Sequence, residues 1–166
     1  MSIAFPFDVR FQRCVIRLLM IDDGFAVRAF KFVEPGFFTS RSLGWMCVQA
    51  RKYWETYSRR LSDVVLRDAL RYVESEHIAA YSSDLDEVVL LGDVADGEYV
   101  KHELREFVRR ALFSRAHAES ATLYNSGKTT EAYDITMHAL DSINAVDFDV
   151  IERQWFFEEL DARQKD

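Results

Sequence analysis

Proline is almost missing from this chain. Pro6 and Pro35 are the only two among 166 residues, and six glycines complete the set of backbone breakers. So few breaks exclude a sandwich of many short strands and favour long helices. Cysteine is equally scarce. Cys14 and Cys47 both fall on apolar helix faces, too few for a disulfide framework, so a reducing compartment is expected. No apolar run approaches the roughly 18 residues a membrane span needs. The apolar start is broken by Pro6 and Asp8 with no basic stretch before it, which does not fit a signal peptide. Positive charge is in deficit, with a net charge of −7, where a nucleic-acid binder would carry a strong basic surface. There is no internal repeat and no low-complexity tract.

The signatures of catalysis are also missing. His77, His102, His117 and His138 form no His-Glu-x-x-His pair, and no Cys/His pair has structural-zinc spacing. There is no Gly-x-Ser-x-Gly elbow for a nucleophilic serine. The acidic pairs at 22–23, 86–87 and 158–159 are adjacent, so on helices their side chains diverge. Ser126-Gly127-Lys128-Thr129-Thr130 looks like the end of a phosphate-binding loop. That loop needs an earlier glycine where this chain has Thr122, and a strand before it where the pattern here is helical. No catalytic, cofactor-binding or metal-ligating residue is expected, and the chain is not expected to be an enzyme.

What is present is an ordinary globular balance, 49% hydrophobic and 30% charged. A first helix is expected from Asp8, its cap, to Met20, with Phe11, Cys14, Val15, Leu18 and Leu19 in one stripe. A second covers Asp22 to Val33 and is stopped by Pro35-Gly36. Phe37 and Phe38 follow as core plugs. A third runs from Ser40 to Tyr57, burying Leu43, Met46, Cys47, Ala50, Tyr53, Trp54 and Tyr57. Ser62 caps a fourth bearing Leu66, Ala69, Leu70 and Val73. Ser83, with Asp86 three residues on, reads as a near capping box for a short fifth helix bearing Leu85, Val88 and Val89.

Beyond Asp96-Gly97 the character changes. A long helix is expected to Asn125, with Val100, Leu104, Phe107, Ala111, Ser114, Ala118 and Ala121 in a heptad-like seam. Asn125-Ser126-Gly127-Lys128 makes a tight connection, with Gly127 suited to a positive-φ C-cap and a threonine capping the next helix. A return helix from Thr129 to Val146 turns Ala132, Ile135, Ala139, Ile143 and Val146 inward. Residues 147–166 mix Phe148, Ile151, Trp155, Phe156, Phe157 and Leu160 with charges. The expected fold is all-α: a small helical head over 1–97, a long antiparallel hairpin over 98–146, and a linker tail over 147–166. Phe107, Leu112, Phe113, Leu123 and Tyr124 exceed what one narrow seam can cover, and mark the hairpin as a self-association surface. Charge is uneven. Residues 1–83 hold 12 Lys/Arg against 9 Asp/Glu, and residues 84–166 hold 9 against 19. Basic clusters at Arg51, Lys52, Arg59 and Arg60, and at Arg105, Arg109, Arg110 and Arg115, suit a solvated face or an acidic docking partner.

Several short motifs resemble a known family. Phe11-Gln12-Arg13 opening an apolar helix, then Val33-Glu34-Pro35-Gly36-Phe37-Phe38, is similar to the start of DnaB-type hexameric replicative DNA helicases. Trp45, Tyr53-Trp54 and Tyr57 resemble the aromatic third helix of phage members. Glu98-Tyr99-Val100, Glu103-Leu104, Glu106-Phe107 and Arg109-Arg110 resemble the opening of their long hairpin. Asp147-Phe148 and Trp155 to Arg163 resemble the segment leading into their ATPase domain. The resemblance implies an N-terminal collar that self-associates as a dimer or a higher, ring-forming oligomer. It implies docking of primase or a helicase loader, linker docking through Phe148, Trp155, Phe156 and Leu160, and only weak, indirect contact with DNA. The cell compartment would be the bacterial or phage-infected host cytoplasm. Two other classes stay open: a free-standing regulator or loader-like protein that binds a replicative helicase, and a small helical enzyme, for which no polar constellation is visible.

Overall fold

The structure is a computed structural model that describes residues 7–146. Among the described residues every regular element is helical, so the fold is all-α. The order is α1 (Val9–Ile21), α2 (Asp23–Ala29), a 3-10 turn (Pro35–Phe37), α3 (Arg41–Tyr57), α4 (Asp63–Ala69), a 3-10 turn (Leu70–Tyr72), α5 (Ser75–Leu90), α6 (Gly97–Asn125) and α7 (Thr129–Ala145). The chain divides into two compact units, Met1–Leu104 and Arg105–Asp166. The division falls inside α6, beyond the expected boundary at 97/98. The first turns of α6 are tied into the head, where the Lys101 ammonium pairs with Asp22 at 2.9 Å.

The head is built on α1, which packs on α2, α3 and α5. Asp8 caps it, its carboxylate accepting from the Phe11 amide at 2.8 Å. That satisfies one of the amide donors a helix start leaves without a partner. Asp22 caps α2 in the same way, and Ser62 caps α4. Val15, Ile16, Leu18 and Leu19 are buried from α1, Leu43, Met46 and Cys47 from α3, and Leu66, Leu85 and Val88 from α4 and α5. Each such Leu or Ile contributes about 1.5–3 kcal/mol of hydrophobic stabilisation. Phe37 and Phe38 are buried as the core plugs they were expected to be.

Three details of the head depart from expectation. α2 ends at Ala29 and continues to Val33 only as hydrogen-bonded turns, although Val33 itself is buried. Tyr57 is exposed at the end of α3, because Ser58 breaks the helix there with φ 50°. Ser83 is not a cap: α5 starts at Ser75 and runs unbroken through it. Asp84, the next residue, is held in mid-helix by partners on α1 and α3, so tertiary contacts override a local capping signal.

In the second unit the tip is closed by Gly127, at φ 81°. The Lys128 amide donates to the Leu123 carbonyl at 2.9 Å and the Gly127 amide to the Tyr124 carbonyl at 3.0 Å. These are the paired bonds of a Schellman C-cap, and the positive φ suits glycine. Thr129 is not the N-cap of α7. Lys128 holds that position without a side-chain cap bond, and Thr129 is the first helical residue.

Candidate association surface

Among the described residues, three hydrogen bonds join α6 to α7. The Ser120 hydroxyl donates to the Ala132 carbonyl at 3.0 Å, and the Thr136 hydroxyl to the Ser120 hydroxyl at 3.1 Å. The Arg109 guanidinium donates to the Ile143 carbonyl at 3.2 Å. As numbers rise along α6 they fall along α7, so the two run antiparallel. A groove of about 240 Å³ lies between them, lined on α6 by Leu112, Ala116 and Glu119 and on α7 by Ile135 and Ala139.

This pairing uses a different face of α6 from the expected heptad seam. Val100, Leu104, Phe107 and Ala111 are buried, with Val108 beside them, but Ser114 is half-buried and Ala118 and Ala121 are exposed. The face turned to α7 is instead Arg109, Leu112, Ala116, Ser120 and Leu123. One helix carries two apolar stripes rotated apart. The heptad count followed the first stripe past the point where its burial ends.

The expected self-association residues therefore separate into three groups. Phe107 is 0% exposed and offers nothing to a partner, which corrects its assignment to the contact surface. It sits on the buried stripe with Leu104 and Ala111. Leu112 and Leu123 are half-buried on the α6–α7 seam. Phe113 and Tyr124 are exposed, by 55% and 65%.

Three exposed residues of α7 join them: Tyr133 at 65%, Met137 at 43% and Leu140 at 44%. At about 100° per residue, Phe113, His117 and Tyr124 lie about 90° around α6 from its seam with α7. Tyr133, Met137 and Leu140 lie about 110° around α7 from its own seam, in the same rotational sense. Because the helices are antiparallel, equal senses of rotation bring both strips to the same side of the pair. Phe113 stacks on His117, with ring centroids 6.0 Å apart and 12° between planes. The result is a single apolar face built from both helices. Its α7 half is legible in the sequence as a second stripe at i, i+4 and i+7. The segment that carries this face has no net charge: residues 105–146 hold five basic and five acidic side chains.

Two polar clusters in the head pair their charges internally. Asp84 accepts from Arg13 at 2.8 Å, from the Ser40 hydroxyl at 3.2 Å and from the Ser42 hydroxyl. Burial alone would raise the Asp84 carboxyl, but these hydrogen bonds and the Arg13 charge outweigh it and hold it below the ordinary carboxylate value. Ionised at neutral pH, Asp84 accepts hydrogen bonds and clamps α1, α3 and α5, and its lowered pKa makes it a weak base toward either serine. A cleft of about 440 Å³ beside Asp22, Asp23, Arg60 and Lys101 is likewise paired off, Lys101 with Asp22 and Glu98, and Arg60 with Asp23 at 2.8 Å.

At the start of α5, Glu74, Glu76 and His77 bring side-chain atoms within 4.8 Å of one another. The two carboxylates are exposed and sit where a helix dipole favours negative charge, while His77 stacks on Tyr81. Both cysteines are buried, and burial pushes the Cys47 thiol up to about 12, far from nucleophilic use.

Phe148, Trp155, Phe156 and Leu160 lie outside the described residues. Among the described residues no helix is long and apolar enough to cross a membrane. Comparison with family models, with curated proteins and with solved structures finds no match for the chain.

Proposed function

We propose that this chain is a self-associating docking module, of the kind that forms the N-terminal collar of a DnaB-type replicative helicase, and that it has no catalytic activity of its own. The observation that carries this reading is the aromatic and aliphatic face of the α6–α7 pair. Phe113, Tyr124, Tyr133, Met137 and Leu140 are exposed together on one side of a hydrogen-bonded helix pair. Contiguous apolar surface of this sort marks contact sites. A two-fold axis would lay the same patch of one copy on that of another, and the equal count of charges means two copies meet without net repulsion. The partners beyond a second copy are a primase or a helicase loader, acting in the cytoplasm of a bacterial or phage-infected cell. The sequence motifs that resemble the helicase collar, and a helical head followed by an antiparallel pair, support that assignment.

The test is sedimentation velocity over a concentration series reaching several hundred micromolar. Wild type should form dimers or larger species. Tyr124→Lys with Tyr133→Lys should keep its helical circular dichroism and weaken association at least tenfold, about 1.4 kcal/mol. A wild type monomeric throughout, or a double variant of unchanged mass, would falsify the pairing.

A further inference from the structure

The basic cluster at Arg51, Lys52, Arg59 and Arg60 is only partly used inside the head. The Arg51 guanidinium donates to the Val33 carbonyl and lies over the Phe30 ring, 5.9 Å from its centroid. Arg60 pairs with Asp23 at 2.8 Å and donates to the Ile21 carbonyl. Both hold neighbouring segments of the head together. Lys52 and Arg59 differ. Their side chains are exposed, and among the described residues no carboxylate pairs with either. Beside them an apolar groove of about 190 Å³ runs between α3 and α4. Tyr53 and Tyr57 form its α3 wall, with ring centroids 4.6 Å apart, and Leu61, Val65 and Ala69 form the facing side. Lys52 lines the same groove, and the cleft that holds Arg59 meets it at Leu61. Nearby acids do not cancel this charge. Asp68 is paired with Arg71, and Glu55 lies about 130° around α3 from the groove.

We propose that this groove docks an acidic amphipathic helix of a partner protein, its apolar side chains between α3 and α4 and its carboxylates against Lys52 and Arg59. The inference does not rest on the self-association proposed above, since every residue it uses lies in the first unit. Size and charge select the occupant. The lining runs from Gln49 to Tyr57, eight residues of α3, or about 12 Å, so about two turns of a helix fit along it. Such a helix presents apolar anchors one turn apart and keeps charged residues on its flanks. Unpaired cations at the rim of an apolar groove favour carboxylates there and repel a basic segment. Nucleic acid fits less well. A phosphate backbone carries a charge at every nucleotide and calls for a longer track of cations. Tyr53 and Tyr57 are tilted 45° to one another and offer no parallel platform for stacked bases.

The experiment keeps the full chain. The probe is a fluorescein-labelled amphipathic peptide of about 14 residues, long enough to form a helix on the groove, with Leu on one face and Glu on the others. A second peptide replaces every Glu by Lys, and oligothymidylate serves as the nucleic-acid arm. In anisotropy titrations the Glu peptide should bind saturably, more weakly as salt rises, and about tenfold or more tighter than the Lys peptide. Lys52→Glu with Arg59→Glu should invert that preference, so that the Lys peptide binds the tighter of the two. Tyr57→Ser should weaken the Glu peptide by about tenfold. All three positions are exposed, so the helical circular dichroism of both variants should match wild type. No saturable binding of the Glu peptide up to about 1 mM would overturn the docking. So would Glu-peptide binding that the charge reversal leaves unchanged. Oligothymidylate bound more tightly than the Glu peptide, and lost in the charge-reversed variant, would assign the patch to nucleic acid and end the proposal.

Discussion

Asp84 shows how much of the head depends on single polar residues. Its carboxylate is the common acceptor for side chains 42 and 71 residues away in sequence, on α3 and α1. Its folded pKa is depressed, so the stability it contributes is fully present above the unfolded carboxylate value of about 3.9 and is lost as pH falls through the folded value. Asp84→Asn should cost about 1–3 kcal/mol at pH 7, because Arg13 and two hydroxyls lose a charged acceptor. The gap between wild type and variant in urea unfolding should narrow as pH drops below about 4. An equal gap at pH 3 and pH 7 would mean the cluster is not held by the ionised carboxylate. Gln12 illustrates the neutral counterpart. It is almost fully buried, yet its amide donates to the Phe7 carbonyl and accepts from the Thr39 amide and hydroxyl. A buried amide whose oxygen and nitrogen both have partners carries little penalty.

At the scale of the elements, contact between neighbours explains what helix propensity leaves open. Gly44 lies inside α3, where alanine would ordinarily gain about 1 kcal/mol. A Cβ added there would sit 2.9 Å from the Pro35 carbonyl oxygen, on the backbone of the 3-10 turn. The turn would have to move, and with it the buried Phe37 and Phe38. Gly44→Ala is therefore expected to destabilise by about 1–3 kcal/mol, the usual range for overpacking, seen as a lower Tm in calorimetry. A higher Tm would show that the turn yields at little cost. α6 makes the same point over a longer span. Its buried stripe and its seam with α7 lie on different faces, so a single heptad cannot describe it.

For the whole molecule, charge is partitioned by region. The acidic excess of the second half falls in residues 84–104 and in 147–166, and the intervening 105–146 are balanced. An apolar face on a segment without net charge is suited to protein contact and poorly suited to a phosphate backbone. Single-stranded DNA should consequently bind no more tightly than about 10⁻⁴ M at physiological salt, the loose end of non-specific binding. Tight, salt-sensitive binding in an anisotropy titration would contradict this and point instead to the basic residues Lys52 and Arg59 at the end of α3.

The sequence alone determined that the chain is helical and where most helices start and stop, but it placed the start of α5 at Ser83 instead of Ser75. Helical spacing, the Asp8, Asp22 and Ser62 caps and the Gly127 turn act within a few residues of themselves, so their consequences are local. Phe37 and Phe38 were legible as buried because two adjacent phenylalanines in a short connection have nowhere else to go. Tertiary structure alone decided that Ser83 is interior to α5, that Phe107 is buried while Phe113 is exposed, and that Tyr133, Met137 and Leu140 share a side with Tyr124. A stripe in a sequence says that a face is apolar. Which neighbour covers it, and where along the helix that cover ends, depends on the packing of segments far apart in the chain, which periodicity does not encode.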